Sequence, residues 1–137
     1  VAHSFPTRRS SDLRGVNLLV VALGGAVGAT TRYLLGRGLV ALGADAPWAI
    51  AVVNVLGAGV LGFVLARFVP GSDGEARAVL GLTVGVLGGF TTFSTWMADV
   101  VVLWEDGRPG TAVAVLVVPV VAGLVGVVGG LAWGRAG

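Results

Sequence analysis

The chain is 137 residues long, which suits a single domain, and 55% of it is hydrophobic against 12% charged, a balance foreign to an ordinary soluble domain. It has no Cys, which removes disulfide and thiol chemistry, and its single His, His3, leaves no imidazole cluster for metal or proton work. The formal charge of +2 does not mark a nucleic-acid binder, because Arg8, Arg9, Arg14 and Asp12 supply the surplus and the remaining arginines and acids balance.

Residues 1–14 (VAHSFPTRRSSDLR) are rich in Ser and Arg and lack the apolar stretch of a signal peptide. They read as a non-native or disordered leader, since SFPTRRSSDL resembles a translated adaptor or cloning remnant. A short native cytoplasmic tail is the competing reading. Residues 15–137 read as one four-helix transmembrane domain. Charge is absent from 15–31, 46–66, 78–98 and 109–134, and about 20 mainly apolar residues suffice to cross a bilayer as a helix. The pattern predicts an all-α, multi-pass protein of the cell membrane, surrounded by lipid, with spans at 16–39, 47–68, 75–104 and 110–133.

The first span carries Gly24-Gly25-Ala-Val-Gly28-Ala-Thr-Thr-Arg32-Tyr33. Arg32 is either a cation drawing an anion toward a polar cavity or a snorkelling side chain at a helix end. Pro47 and Trp48 open the second span, Pro suiting a first helical turn and Trp the interface. Within that span Asn54 needs a partner in lipid. It is either an interhelical hydrogen bond or a donor to a permeating ion.

The turn Pro70-Gly-Ser-Asp-Gly74 leads to the third span. Gly81, Gly85 and Gly89 recur at spacing four, as Gly126, Gly130 and Gly134 do in the fourth span; both rows read as close helix packing. The third span also holds Gly88-Gly89-Phe90-Thr91-Thr92-Phe93-Ser94-Thr95-Trp96. Paired glycines and clustered hydroxyls predict a helix broken mid-membrane, where freed carbonyls can hold a cation. Phe93 and Trp96 share a face if the helix resumes, and their electropositive ring edges can stand in for water around a small anion. The plainer reading is a core aromatic pair with hydroxyls bonded back to the helix. Asp99 is the one acid near this stretch, and its place at the end of the uncharged run reads as interfacial.

Arg67, Arg77 and Arg135 fall on the side of the N-terminus; Arg37, Arg108 and, if it reaches the interface, Arg32 fall on the other. This near balance permits insertion in both orientations and hence an antiparallel dimer, and equally fits a weakly marked single orientation.

Taken together, Gly24-Gly25-x-x-Gly28-Ala-x-x-Arg32-Tyr33, Asn54-Val-x-Gly57 and Gly85-x-x-Gly88-Gly89-x-Thr91-Thr92-Phe93-Ser94-Thr95 resemble the Fluc (CrcB) fluoride channels. The likeness runs over all four spans. It implies an antiparallel, dual-topology dimer that passively exports cytoplasmic fluoride and so lowers its toxicity, with two pores built from both subunits. It implies a central structural Na⁺ held by the backbone carbonyls of Gly88 and Thr91. Phe93 and Trp96 correspond to the pore aromatics, Ser94 and Thr95 to the polar track, Asn54 to the pore amide and Arg32 to the first-helix arginine.

Two departures stand out. Trp96 occupies a position that is usually Phe. The last helix usually contributes Tyr and Ser at spacing four, but here the corresponding residues are Val115 and Pro119. A heterodimer with a paired homologous subunit is one consequence, and a homodimer with a rearranged path is the other. Outside the resemblance, a small four-helix proton-coupled multidrug exporter would have to use Asp99, and an accessory membrane subunit would need none of the polar stretch. No nucleophile–base set marks an enzyme.

Overall fold

The computed structural model describes residues 8–137, so the first seven residues of the expected leader lie outside the described residues. Residues 8–14 are helical and lead into the first long helix, α1 (Arg8–Ala41). The other elements in chain order are α2 (Ala46–Arg67), α3 (Asp73–Leu80), a π-helical segment (Gly81–Leu87), α4 (Gly88–Phe90), α5 (Phe93–Glu105) and α6 (Pro109–Ala136). Among the described residues, four stretches are long and apolar enough to cross a membrane: Asp12–Ala41, Ala46–Arg67, Asp73–Glu105 (interrupted at Thr91 and Thr92) and Pro109–Ala136.

Local chemistry explains the ends. Gly43 and Gly107 adopt φ of 99° and 72° in the turns after α1 and α5, a left-handed conformation that costs glycine little. Pro47 and Pro109 stand in the first turns of α2 and α6, where a missing N–H is harmless. Ser72 caps α3 by accepting from Glu75 N–H at 3.3 Å, and the Glu75 carboxylate reaches back to Gly71 N–H at 2.7 Å. Arg108 and Asp45 pair at 3.3 Å between the α1–α2 and α5–α6 turns, which places these turns at the same end of the bundle. Both side chains are about half exposed, so the pair contributes little stability.

Packing follows glycine rather than amphipathicity. A Cβ on Gly24 would lie 2.6 Å from the Gly81 carbonyl, and one on Gly28 would run into the Val86 carbonyl. α1 therefore meets the π segment and α4 backbone to backbone. A second seam joins α2 to α6, where Gly59 faces Gly126 and Gly130. Both expected rows of glycine are thus packing surfaces.

The third span changes neighbours part-way along. Its first half lies on α1, whereas α5 lies on α6 and α2. Leu103, Ala112 and Val115 form a small buried core there, with Trp48, Trp96 and Val100 against it. Elsewhere the surface is apolar, as lipid requires: Leu18, Leu19, Leu124, Val125 and Val128 are all exposed.

Candidate functional site

The change of neighbours coincides with the break predicted in the third span. Thr91 and Thr92 take extended φ/ψ of −82°/154° and −148°/120° between α4 and α5. Such backbone within a membrane span must find partners inside the protein. In an unbroken helix Thr92 N–H would donate to the Gly88 carbonyl. It donates instead to Asn54 Oδ1 at 2.8 Å, while Asn54 Nδ2 donates to Thr92 O at 2.9 Å. One amide side chain on α2 therefore satisfies both backbone groups of Thr92, as a neighbouring strand would. Asn54 is an interhelical bridge, and the group it holds is the break itself.

The remaining groups at the break divide between local caps and a distant arginine. Thr92 Oγ1 caps α5 by accepting from Thr95 N–H at 3.4 Å, so Thr95 N–H does not return to the Thr91 carbonyl. Thr91 N–H and Thr91 Oγ1 both donate to Leu87 O at 3.0 Å, closing the last turn before the break. The Gly89 carbonyl, whose helical donor would be Phe93 N–H, accepts from Arg32 Nε at 3.3 Å. Arg32 is half-buried, with its Nε against the break. Through these bonds the carbonyls of Gly88 and Thr91, like that of Gly89, are left without their helical donors.

A cavity of about 360 Å³ opens beside this backbone, lined by Asn54, Gly88, Thr91, Phe93 and Trp96. Phe93 and Trp96 stand edge to face, with centroids 6.0 Å apart and ring planes at 87°. Phe93 is 70% exposed, whereas Trp96 is packed inward, its indole N–H bonded to Val115 O at 2.7 Å. Ser94 and Thr95 lie on the exposed side of α5, outside that cavity lining. Their hydroxyls approach Thr92 Oγ1 at 3.5 and 3.2 Å. Arg32 lines a separate cavity of about 660 Å³ with Tyr33 and Arg37. Val115 and Pro119 are both buried in α6.

Two residues to which the sequence assigns no individual role also contribute. Thr92 is the hinge of the break, and its Thr-x-x-Thr spacing before a resumed helix was the available signal. Thr83 also lines the first cavity, its hydroxyl bonded back to Val79 O at 2.8 Å. Nothing in its local sequence distinguishes it.

An apolar bundle of four spans, one interrupted where an amide and an arginine from other helices converge, defines a membrane protein built around a discontinuous helix. Such interruptions occur where ions or solutes are held within membranes. The family model described as "CrcB-like protein, Camphor Resistance (CrcB)" matches residues 19–131. A protein of Agrobacterium fabrum named "Fluoride-specific ion channel FluC" is 36% identical over 121 residues, covering 88% of this chain and 97% of that protein. A relative of the same name from Erythrobacter litoralis is 43% identical, covering 82% of this chain and 88% of its own length. Another, from Thermus thermophilus, is 48% identical over 69% of this chain and 75% of the relative. The chain belongs to the CrcB family and is a multi-pass protein of the cell membrane.

Proposed function

We propose that this chain is the subunit of a fluoride channel that lets cytoplasmic fluoride leave the cell down its gradient. The observation that carries the reading is the broken third span, held open by Asn54 and facing a cavity walled by Phe93 and Trp96. Relatives named as fluoride-specific channels supply the identity of the ion.

The residues have separable roles. Arg32, lining the neighbouring cavity, raises the local concentration of anions. The edges of Phe93 and Trp96 present the positive rim of each ring to a dehydrating anion, which favours a small, hard ion over water. The hydroxyls of Ser94 and Thr95 extend a polar path along the exposed side of α5. Asn54 keeps the break open and leaves its second Nδ2–H for the ion.

The donor set freed at the break fits a hard monovalent cation, because backbone carbonyls relieved of helical donors are ligands of this kind. Gly88 and Thr91 would hold a structural Na⁺, which would supply fixed positive charge and lock the interrupted backbone. The working unit is an antiparallel dimer of two copies of this chain. Two features support it: the near-equal arginine content of the two ends, and an aromatic wall whose Phe93 is left open on one side. A second, inverted copy would close that wall and double the pathway.

Reconstitution into liposomes loaded with fluoride tests the reading with an ion-selective electrode. Electrodiffusive fluoride release with chloride retained is expected from the chain alone. Release only after adding a paired homologue would replace the homodimer by a heterodimer. No release in either case would overturn the channel reading.

A further inference from the structure

Pro119 lies inside α6 and carries no N–H, so the carbonyl four residues earlier, that of Val115, has lost its helical donor. Val115 is 0% exposed, so water cannot reach its surroundings, and an unbonded carbonyl there is unfavourable. Another helix fills the vacancy: Trp96 Nε1 donates to Val115 O at 2.7 Å. The same indole stands edge to face with Phe93, and both rings line the cavity at the break.

We propose that Pro119 is a positioning residue which, by withholding an N–H from the Val115 carbonyl, makes that oxygen the anchor for the Trp96 indole and so sets the Phe93–Trp96 pair against the ion pathway. The inference rests on reading that cavity as an anion path. It divides the indole into two working parts. Its N–H is consumed inside the subunit and offers the ion nothing, while its carbon edge and its contact with Phe93 are held in one orientation. Pro119 touches no ion in this scheme. It acts through Trp96 alone.

The two residues should therefore be coupled, and an indole signal reports the coupling directly. In the ¹⁵N-labelled protein, the indole resonance that disappears in Trp96→Phe identifies Trp96, and its N–H should exchange slowly with water. Pro119→Ala restores a backbone donor to Val115 and should speed that exchange at least tenfold, with the other indole signals unmoved. In fluoride-loaded liposomes, Trp96→Phe leaves the carbonyl without a donor and should slow release several-fold. The double variant Trp96→Phe/Pro119→Ala, in which the helix satisfies the carbonyl itself, should recover most of that loss.

Unchanged Trp96 exchange in Pro119→Ala overturns the proposal, as does a double variant whose losses simply add. A slow-exchanging Trp96 in a parent protein that releases no fluoride, alone or with a paired homologue, would instead overturn the channel reading and leave the anchor standing.

Discussion

Replacing Asn54 with Leu conserves approximate volume but removes both hydrogen bonds to Thr92, at 2.8 and 2.9 Å. Their value sets the expected effect. Two soluble-type bonds at about 1 kcal/mol each give ~2 kcal/mol. Two membrane-type bonds at about 0.6 kcal/mol each give ~1.2 kcal/mol. At about 1.4 kcal/mol per factor of ten, the open-break conformation should lose population by roughly 8- to 30-fold. The loss has a direction, because Thr92 N–H can then return to the Gly88 carbonyl, which closes the helix and removes one of the two proposed cation ligands. Fluoride release from liposomes should fall in the same range, and protection of the Thr92 amide in hydrogen exchange should persist with its partner changed. A second measurement separates this from general damage: raising Na⁺ should recover part of the flux in Asn54→Leu if cation binding and the open break are linked. Release within twofold of the parent at all Na⁺ concentrations would show that the amide does not hold the break.

Three further predictions follow from separate contacts. Gly28→Ala places a Cβ 2.8 Å from Phe90 N and closer still to the Val86 carbonyl, so α1 must shift; about 1–3 kcal/mol of destabilisation is expected. Thermal unfolding in detergent should show it, while Gly38→Ala, with open space around it, should be near neutral. Thr92→Val removes the α5 cap and should cost about 1 kcal/mol, read as faster exchange of the Thr95 amide, whereas Thr92→Ser should retain it. Asp99→Asn should leave fluoride release intact, since the proposed path needs no proton carrier; transport that a pH gradient drives in the parent and that Asp99→Asn abolishes would favour a proton-coupled exporter.

The four spans and their turns were legible because they depend on local properties: uncharged length, and Pro or Gly where helices start and stop. The break was legible for the same reason, since paired glycines and four hydroxyls signal a backbone that leaves the helix wherever it is placed. The glycine rows could be read as seams, but not which seam each would join. Gly81 and Gly85 meet Gly24 on α1, whereas Gly126 and Gly130 meet Gly59 on α2. In lipid, helices are apolar all round, so the usual stripe that tells which face turns inward is missing.

The partners at the site were decided by the tertiary structure alone. Asn54 reaches Thr92 across 38 residues and Arg32 reaches Gly89 across 57. From sequence, each was a polar residue with two plausible fates. Their partners follow from the need of a broken membrane helix to recruit donors and acceptors from whichever helices lie beside it. Val115 and Pro119 show the same division. In sequence they are positions lacking a hydroxyl, but in the folded chain Pro119 frees a carbonyl that the Trp96 indole takes up. Local composition marks where the backbone is left unsatisfied, and packing chooses what satisfies it.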